Sequence, residues 1–182
     1  MSINQQELES IARSLLKAIG ENPDDPRIVD TPKRWAKWWI EFLEKNHGTI
    51  DTAFSTENYD QMIIVRDMKV WSMCEHHLLP FWANVTIGYI PNKKVLGLSK
   101  FARIAHKHAN KLQIQERLVQ DIAKEVIHLT ASPNVAVLCS GEHLCMTMRG
   151  VKTPAIMTSS SMNGNFRDDR QVKNEFLKLA LS

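Results

Sequence analysis

Residues 73–81 read Met-Cys-Glu-His-His-Leu-Leu-Pro-Phe and set a thiol, a carboxylate and two imidazoles side by side. Cys74 and His77 are separated by two residues, a common chelating interval on a turn. About 70 residues further on, Glu142-His143-Leu144-Cys145 offers a second imidazole and thiol. On a strand, His143 and Cys145 would share one face, about 6.6 Å apart along the chain. Pooled, the two stretches supply Cys74, His76, His77, His143 and Cys145, a sulfur and nitrogen set that suits zinc. A structural zinc takes four protein ligands, and a catalytic one takes three and keeps a position for water. Five candidates fit either plan. Cys139 has the parity of Cys145 but would stand roughly 20 Å from it on a straight strand. Within Val-Ala-Val-Leu-Cys it reads as a small buried hydrophobe.

Other residues suit an anionic ligand. In Gly97-Leu-Ser-Lys-Phe-Ala-Arg103, Ser99 has the character of a helix N-cap, with Lys100 and Arg103 on the turn behind it. Free N–H groups and the positive dipole end at such a terminus favour phosphate. Arg149, four residues past Cys145, would keep the same strand parity and add charge near the metal. Gln115 and Glu116 stand before or at the start of a helix. A carboxylate there can accept two parallel hydrogen bonds from the N1–N2 edge of guanine. The basic stretch 103–111 has no interleaved aromatic residues, so nucleic acid is not the expected partner.

These groups need a frame. The 182 residues are 43% hydrophobic and 24% charged, with a net charge of +3. That is a folded chain whose mild basicity suits a small anion. No apolar run reaches the length of a membrane span, and Met1–Gln6 lacks the pattern of a secretory signal. Three sparse cysteines point to a reducing cytoplasm rather than a disulfide framework. Residues 1–60 form the expected N-terminal helical region. Leu8, Ile11, Leu15 and Ile19 recur at helical spacing before Gly20, and Trp35, Trp38, Trp39 and Phe42 do so after a start signal at Asp30-Thr31-Pro32. Residues 61–182 form the expected catalytic domain. Strand-like segments near 61–73, 81–90 and 134–150 alternate with helical ones at 99–111 and 115–130, and a helix ends the chain. The expected class is α+β, with helices on one face of an antiparallel sheet.

Four stretches in order, residues 74–81, 87–104, 112–118 and 142–151, closely resemble GTP cyclohydrolase I. The likeness is continuous from Arg66 to Val151, and residues 30–39 and 165–179 extend it over nearly the whole chain. The resemblance implies opening of the imidazole ring of GTP, release of C8 as formate and rearrangement of the ribose to 7,8-dihydroneopterin triphosphate. It assigns Zn2+ to Cys74, His77 and Cys145. It gives proton handling to His143, as the acid at the purine N7, and to His76 with Ser99 during the ribose rearrangement. Arg66, Ser99, Lys100, Arg103 and Arg149 fall on positions for the triphosphate and ribose, and Gln115 and Glu116 lie around the guanine. It also implies the tunnelling fold, in which sheets of several subunits join into a barrel. The assembly would be a homodecamer of two pentamers with active sites at subunit boundaries. Lys111, Ser140, Ala155 and Ile156 depart from the family's usual residues, and Glu75 receives only a structural hydrogen bond.

Overall fold

The computed structural model describes residues 3–44, 47–55 and 59–182. Residues 1–2, 45–46 and 56–58, all within the expected N-terminal helical region, lie outside the described residues. The chain forms two units, Met1–Lys45 and Asn46–Ser182. In the first, Asn4 caps α1 (Gln5–Ala18) by accepting from the Glu7 N–H at 3.2 Å, and Gly20, at φ +89°, follows its end. Asp30 precedes α2 (Thr31–Phe42), with Pro32 in its first turn. The α2 rings pack on one another, Trp35 edge-on to Trp39 at 5.9 Å and Trp38 stacked on Phe42 at 5.6 Å. The α1 stripe is less covered than its spacing predicts: Ile11, Leu15 and Ile19 are 49%, 51% and 65% exposed.

The second unit runs β1 (Ala53–Ser55), β2 (Ile63–Cys74), β3 (Pro80–Tyr89), β4 (Lys94–Leu96), α3 (Leu98–Ala109), β5 (Leu112–Gln113), α4 (Gln115–Thr130), β6 (Val135–His143), α5 (Leu144–Thr147), β7 (Met157–Met162), α6 (Asn165–Asp168) and α7 (Arg170–Leu181). Its main sheet has the order β5-β2-β3-β6-β7, and β1 pairs with β4 as a separate ribbon. The pairings β2–β3, β3–β6 and β6–β7 are antiparallel, as expected, but β5 runs parallel to β2. Two residues give too short a periodic signal to reveal such a strand. The β7 segment Met-Thr-Ser-Ser-Ser-Met was not anticipated either, since its serines carry little strand propensity. Its pairing with Ala136–Gly141 decides the matter.

Alternation along β6 builds two cores. Val135, Val137 and Cys139 join Val85, Ile87 and Tyr89 beneath Phe101 and Ile104 of α3 and Leu118, Ile122 and Val126 of α4. Ala136 and Leu138 point the other way, to Phe166 and to Phe176 of α7. Helices therefore cover both faces, not one, and α7 sits over the start of β2 and β6. Arg66 lies at a break in the β2–β3 register, where Asp67 takes φ +60°. It donates to Ser182 Oγ at 2.9 Å and to the Leu179 carbonyl at 3.2 Å, at the C-terminal end of α7.

Helices α3 and α4 are also joined by charge. Lys107 and His108 meet Glu125, and Lys111 Nζ lies 2.8 Å from Asp121. Burial opposes ionisation of both carboxylates, but Lys111 beside Asp121, and Lys107 beside Glu125, hold them below their ordinary values. Burial also holds the His108 imidazole below its ordinary value against the pull of Glu125, so the lysines are the dependable partners. A carboxylate with a lowered folded pKa stabilises the fold above its unfolded value near 4, and that contribution is lost as pH falls through the lowered value. Thermal midpoints followed by circular dichroism should hold between about pH 7 and 5 and drop below about pH 4. The Asp121→Asn/Glu125→Gln protein should start lower and fall less steeply.

One glycine sets the approach of β3 to β6. A Cβ on Gly141 would lie 2.1 Å from the Trp82 carbonyl oxygen and 2.9 Å from Ala83 Cα. Backbone cannot yield as a flexible side chain does. Gly141→Ala should cost roughly 1–3 kcal/mol or more, lowering the thermal midpoint by several degrees. It should also disturb His143, two residues on.

Candidate functional site

The strand ends build the site. β2 closes at Cys74, and the chain turns through 75–78 before β3 opens at Pro80. Hydrogen bonds from Cys74 N to Leu79 O and from Leu78 N to Cys74 O, both 2.9 Å, fasten the base of the turn, and Leu78 takes φ +52°. Because the segment turns, His76 and His77 do not point to opposite sides as on extended chain. Their Nδ1 atoms lie 4.0 Å and 3.9 Å from Cys74 Sγ.

The second half departs from the strand expectation. β6 stops at His143, and Cys145 lies on the short α5, so the two residues do not share a strand face. Arg149 falls in the bend after α5 and has no strand parity with Cys145. The helical turn still brings the thiol round: the donor atoms of Cys74, His77 and Cys145 all lie within 4.8 Å of one another. Tetrahedral zinc with sulfur at ~2.3 Å and nitrogen at ~2.0–2.1 Å spaces its ligands by about 3.4–3.8 Å, so small side-chain movements close the set. Burial and the neighbouring Cys74 sulfur push the Cys145 thiol above its ordinary value. A cation between the two sulfurs relieves both penalties. These three residues can hold a metal. Cys139 stands apart, fully buried in the core, with its thiol pushed up to about 12 by burial.

His143 is held on two sides. Its ring stacks on Phe81, its partner across β3 and β6, with centroids 4.5 Å apart and planes 5° from parallel. Its Nε2 lies 3.0 Å from Gln115 Oε1. Gln115 is fully buried at the start of α4, where its Nε2 donates toward the carbonyls of Cys139 and Met157 and toward Ser159 Oγ, at 3.2, 3.0 and 3.1 Å. Those three acceptors orient the amide, so its oxygen faces His143 and accepts the Nε2 proton. Nδ1 is then the nitrogen left for a ligand. Burial lowers the His143 pKa, and the Glu116 carboxylate partly offsets this. Glu116 itself is exposed beside the site. Sequence reasoning missed this cradle because β7, which supplies Met157 and Ser159, carried no strand signal.

The other expected anion residues gather elsewhere. α3 begins at Leu98 with Gly97 as its N-cap, so Ser99 lies inside the first turn and does not cap it. The Gly97 carbonyl accepts from Lys100 N at 2.8 Å, which closes the first turn. Lys100 is nearly buried and donates to the Thr49 carbonyl at 2.8 Å and to Thr49 Oγ1 at 3.1 Å, and Arg103 donates to the same carbonyl at 3.0 Å. Ser72, two residues before Cys74, bonds to the carbonyl of Ala109 at the opposite end of α3. At ~1.5 Å per residue, Ser99 and Lys100 stand about 14–15 Å and Arg103 about 9 Å from that end along the helix. Arg66 is likewise remote, eight residues back along β2. A single chain thus joins Cys74, His76, His77, Gln115, Glu116, His143 and Cys145, and leaves the phosphate-binding candidates of α3 and β2 at a distance.

Metal content after dialysis should separate these roles. Cys145→Ala and His77→Ala should lose most bound metal, while Cys139→Ala and His143→Ala should retain it. A metal-free His143→Ala protein would exchange the parts assigned to residues 143 and 77.

Comparison with known proteins agrees with this geometry. The family model described as GTP cyclohydrolase I matches residues 8–181. GTP cyclohydrolase 1 of Pseudoalteromonas translucida is 45% identical over 179 residues, spanning 95% of this chain and 97% of that one. The enzyme of the same name from Sulfurihydrogenibium sp. is 41% identical over 98% of this chain and 96% of its own, and that of Aquifex aeolicus 40% identical over 98% of each. With the fold, the Cys-His-Cys group and this likeness over almost its full length, the chain belongs to the GTP cyclohydrolase I family of enzymes.

Proposed function

We propose that the protein hydrolyses GTP to 7,8-dihydroneopterin triphosphate and formate at a zinc centre held by Cys74, His77 and Cys145. The observation that carries this reading is the three-ligand group beside an imidazole fixed by Gln115. Three protein ligands are the catalytic pattern, and a zinc bound there supplies a water acidic enough to react near neutral pH.

The chain's own residues then divide the work. His143 keeps its Nε2 proton on Gln115, so the proton it gives to the purine N7 leaves from Nδ1. Phe81 and Gln115 fix the plane of that ring before substrate arrives. Gln115, whose amide is engaged within the chain, acts on the guanine through His143, and Glu116 is free to accept from the base edge. His76, exposed on the turn, moves protons during the ribose rearrangement in this reading, with Ser99 supplied there by another copy of the chain. Arg149 adds positive charge on the Cys145 side.

Arg66, Ser99, Lys100 and Arg103 bind the triphosphate from a neighbouring subunit in this reading, because their own chain keeps them away from its triad. An assembled barrel would join β7, the end strand of the main sheet, to another copy and remove an exposed edge. A homodecamer follows from the family resemblance, and a reducing cytoplasm from the sparse cysteines. No described helix is long and apolar enough to cross a membrane.

Incubation with GTP should release one formate per pterin formed, read by formate assay and by fluorescence after oxidation. Glu116→Gln should lower kcat/KM by about 10-fold or more, as loss of a charged hydrogen-bonding contact to the base predicts. His143→Ala should lower kcat by about 10²–10⁴. Light scattering should give a mass many times the 20.8 kDa of one chain. A zinc-loaded protein that leaves GTP intact would be a binding module instead.

A further inference from the structure

Glu75 is the member of the 73–81 cluster to which neither the metal group nor the proton relay gives a task, yet its carboxylate is not loose. Oε2 accepts from Arg117 Nη2 of α4 at 2.5 Å, while Oε1 lies 4.0 Å from His76 Nε2. Its backbone N–H donates to the Gln113 carbonyl at 3.2 Å. Residue 75 is therefore fastened at two points to the segment 113–117 that leads into α4. The same segment supplies Gln115, which holds His143, and Glu116.

The turn has a choice to make. His76 and His77 both bring Nδ1 to within 4.0 Å of the Cys74 sulfur, so distance to the first ligand does not select between them. Selection requires that the tip of the turn be fixed in rotation. The base of the turn is set by its backbone hydrogen bonds, and the tip reaches another element through the Glu75 carboxylate. The pair is poorly placed to stabilise the fold as a whole, since the Arg117 and Glu75 side chains are 42% and 31% exposed. Partly exposed ion pairs contribute little to stability. Their geometry is what they add.

We infer that Glu75 and Arg117 are a positioning pair. They lock the metal turn against the first turn of α4, keeping His77 in the ligand group and His76 out of it. The part concerning turnover rests on the ring-opening function proposed above; the part concerning the metal does not.

A double-mutant cycle on the zinc-loaded protein tests the pair. Glu75→Gln and Arg117→Gln should each speed zinc release to a chelator by about tenfold, the lower end of what loss of a residue behind a ligand does. In the GTP assay each should lower kcat by about tenfold while KM stays within about twofold, with the thermal midpoint nearly unmoved. The double variant should be no worse than either single one, because the interaction is already lost. Zinc release at the parental rate in both single variants, or losses that multiply in the double, would overturn the proposal. Should the parental protein leave GTP intact, the ring-opening function fails, and the zinc-release cycle still decides the pair.

Discussion

The register between β3 and β6 is the constraint on which the site depends. It sets Phe81 opposite His143 and Ala83 opposite Gly141. A one-residue slip would turn every β6 side chain to the other face and exchange the two cores. Gly141 lets the strands approach where a side chain would strike the Trp82 carbonyl, and two residues later His143 stacks on Phe81. β3 is tied to β2 through Met73↔Pro80, so one register carries Cys74 to the same end of the sheet as His143. Hydrogen-bonded strands thus bring together Cys74 at a strand end, the turn that carries His77 and the short helix that carries Cys145, as preorganised chemistry requires.

The chemistry-bearing residues were more legible than the elements that hold them. Cysteine and histidine spacing identified the candidates, and the family likeness selected three of five. The geometry around them followed from less visible causes. The straight-strand reading of 134–150 failed at His143, because the chain enters a helical turn that nothing in the apolar pattern announces. Ser99 lost the capping position to Gly97, where the backbone itself closes the turn. β5 and β7 exist through pairing with β2 and β6, and their own sequences are too short or too polar to specify them. Long amphipathic helices such as α4 were read from local pattern, as expected where burial and period agree.

The candidate substrate residues also separate by what the fold already asks of them. Lys100 and Arg103 share the Thr49 carbonyl, and Arg66 holds the end of α7. Lys100 and Arg103 bond to neutral oxygen acceptors, whereas Arg66 Nε also lies 3.4 Å from the Asp67 carboxylate. Their hydrogen bonds to the chain fix where each positive charge stands. Glu116 is exposed, with no such anchor among the described contacts, and its specificity must come from the groups that flank it.

Two histidines in one site need two environments if they are to act differently, and the chain supplies them by different means. His143 sits at the end of a core strand, stacked, bonded and partly desolvated, so its ring is fixed and its tautomer set. His76 rides an exposed turn, and its freedom is limited by what holds that turn. The fixed ring suits a single proton transfer to a defined atom, where orientation lowers the barrier. The more exposed ring is open to proton exchange with solvent, as successive transfers require. One fixed and one more exposed imidazole beside a Cys-His-Cys group fit the hydrolysis and rearrangement proposed for this chain.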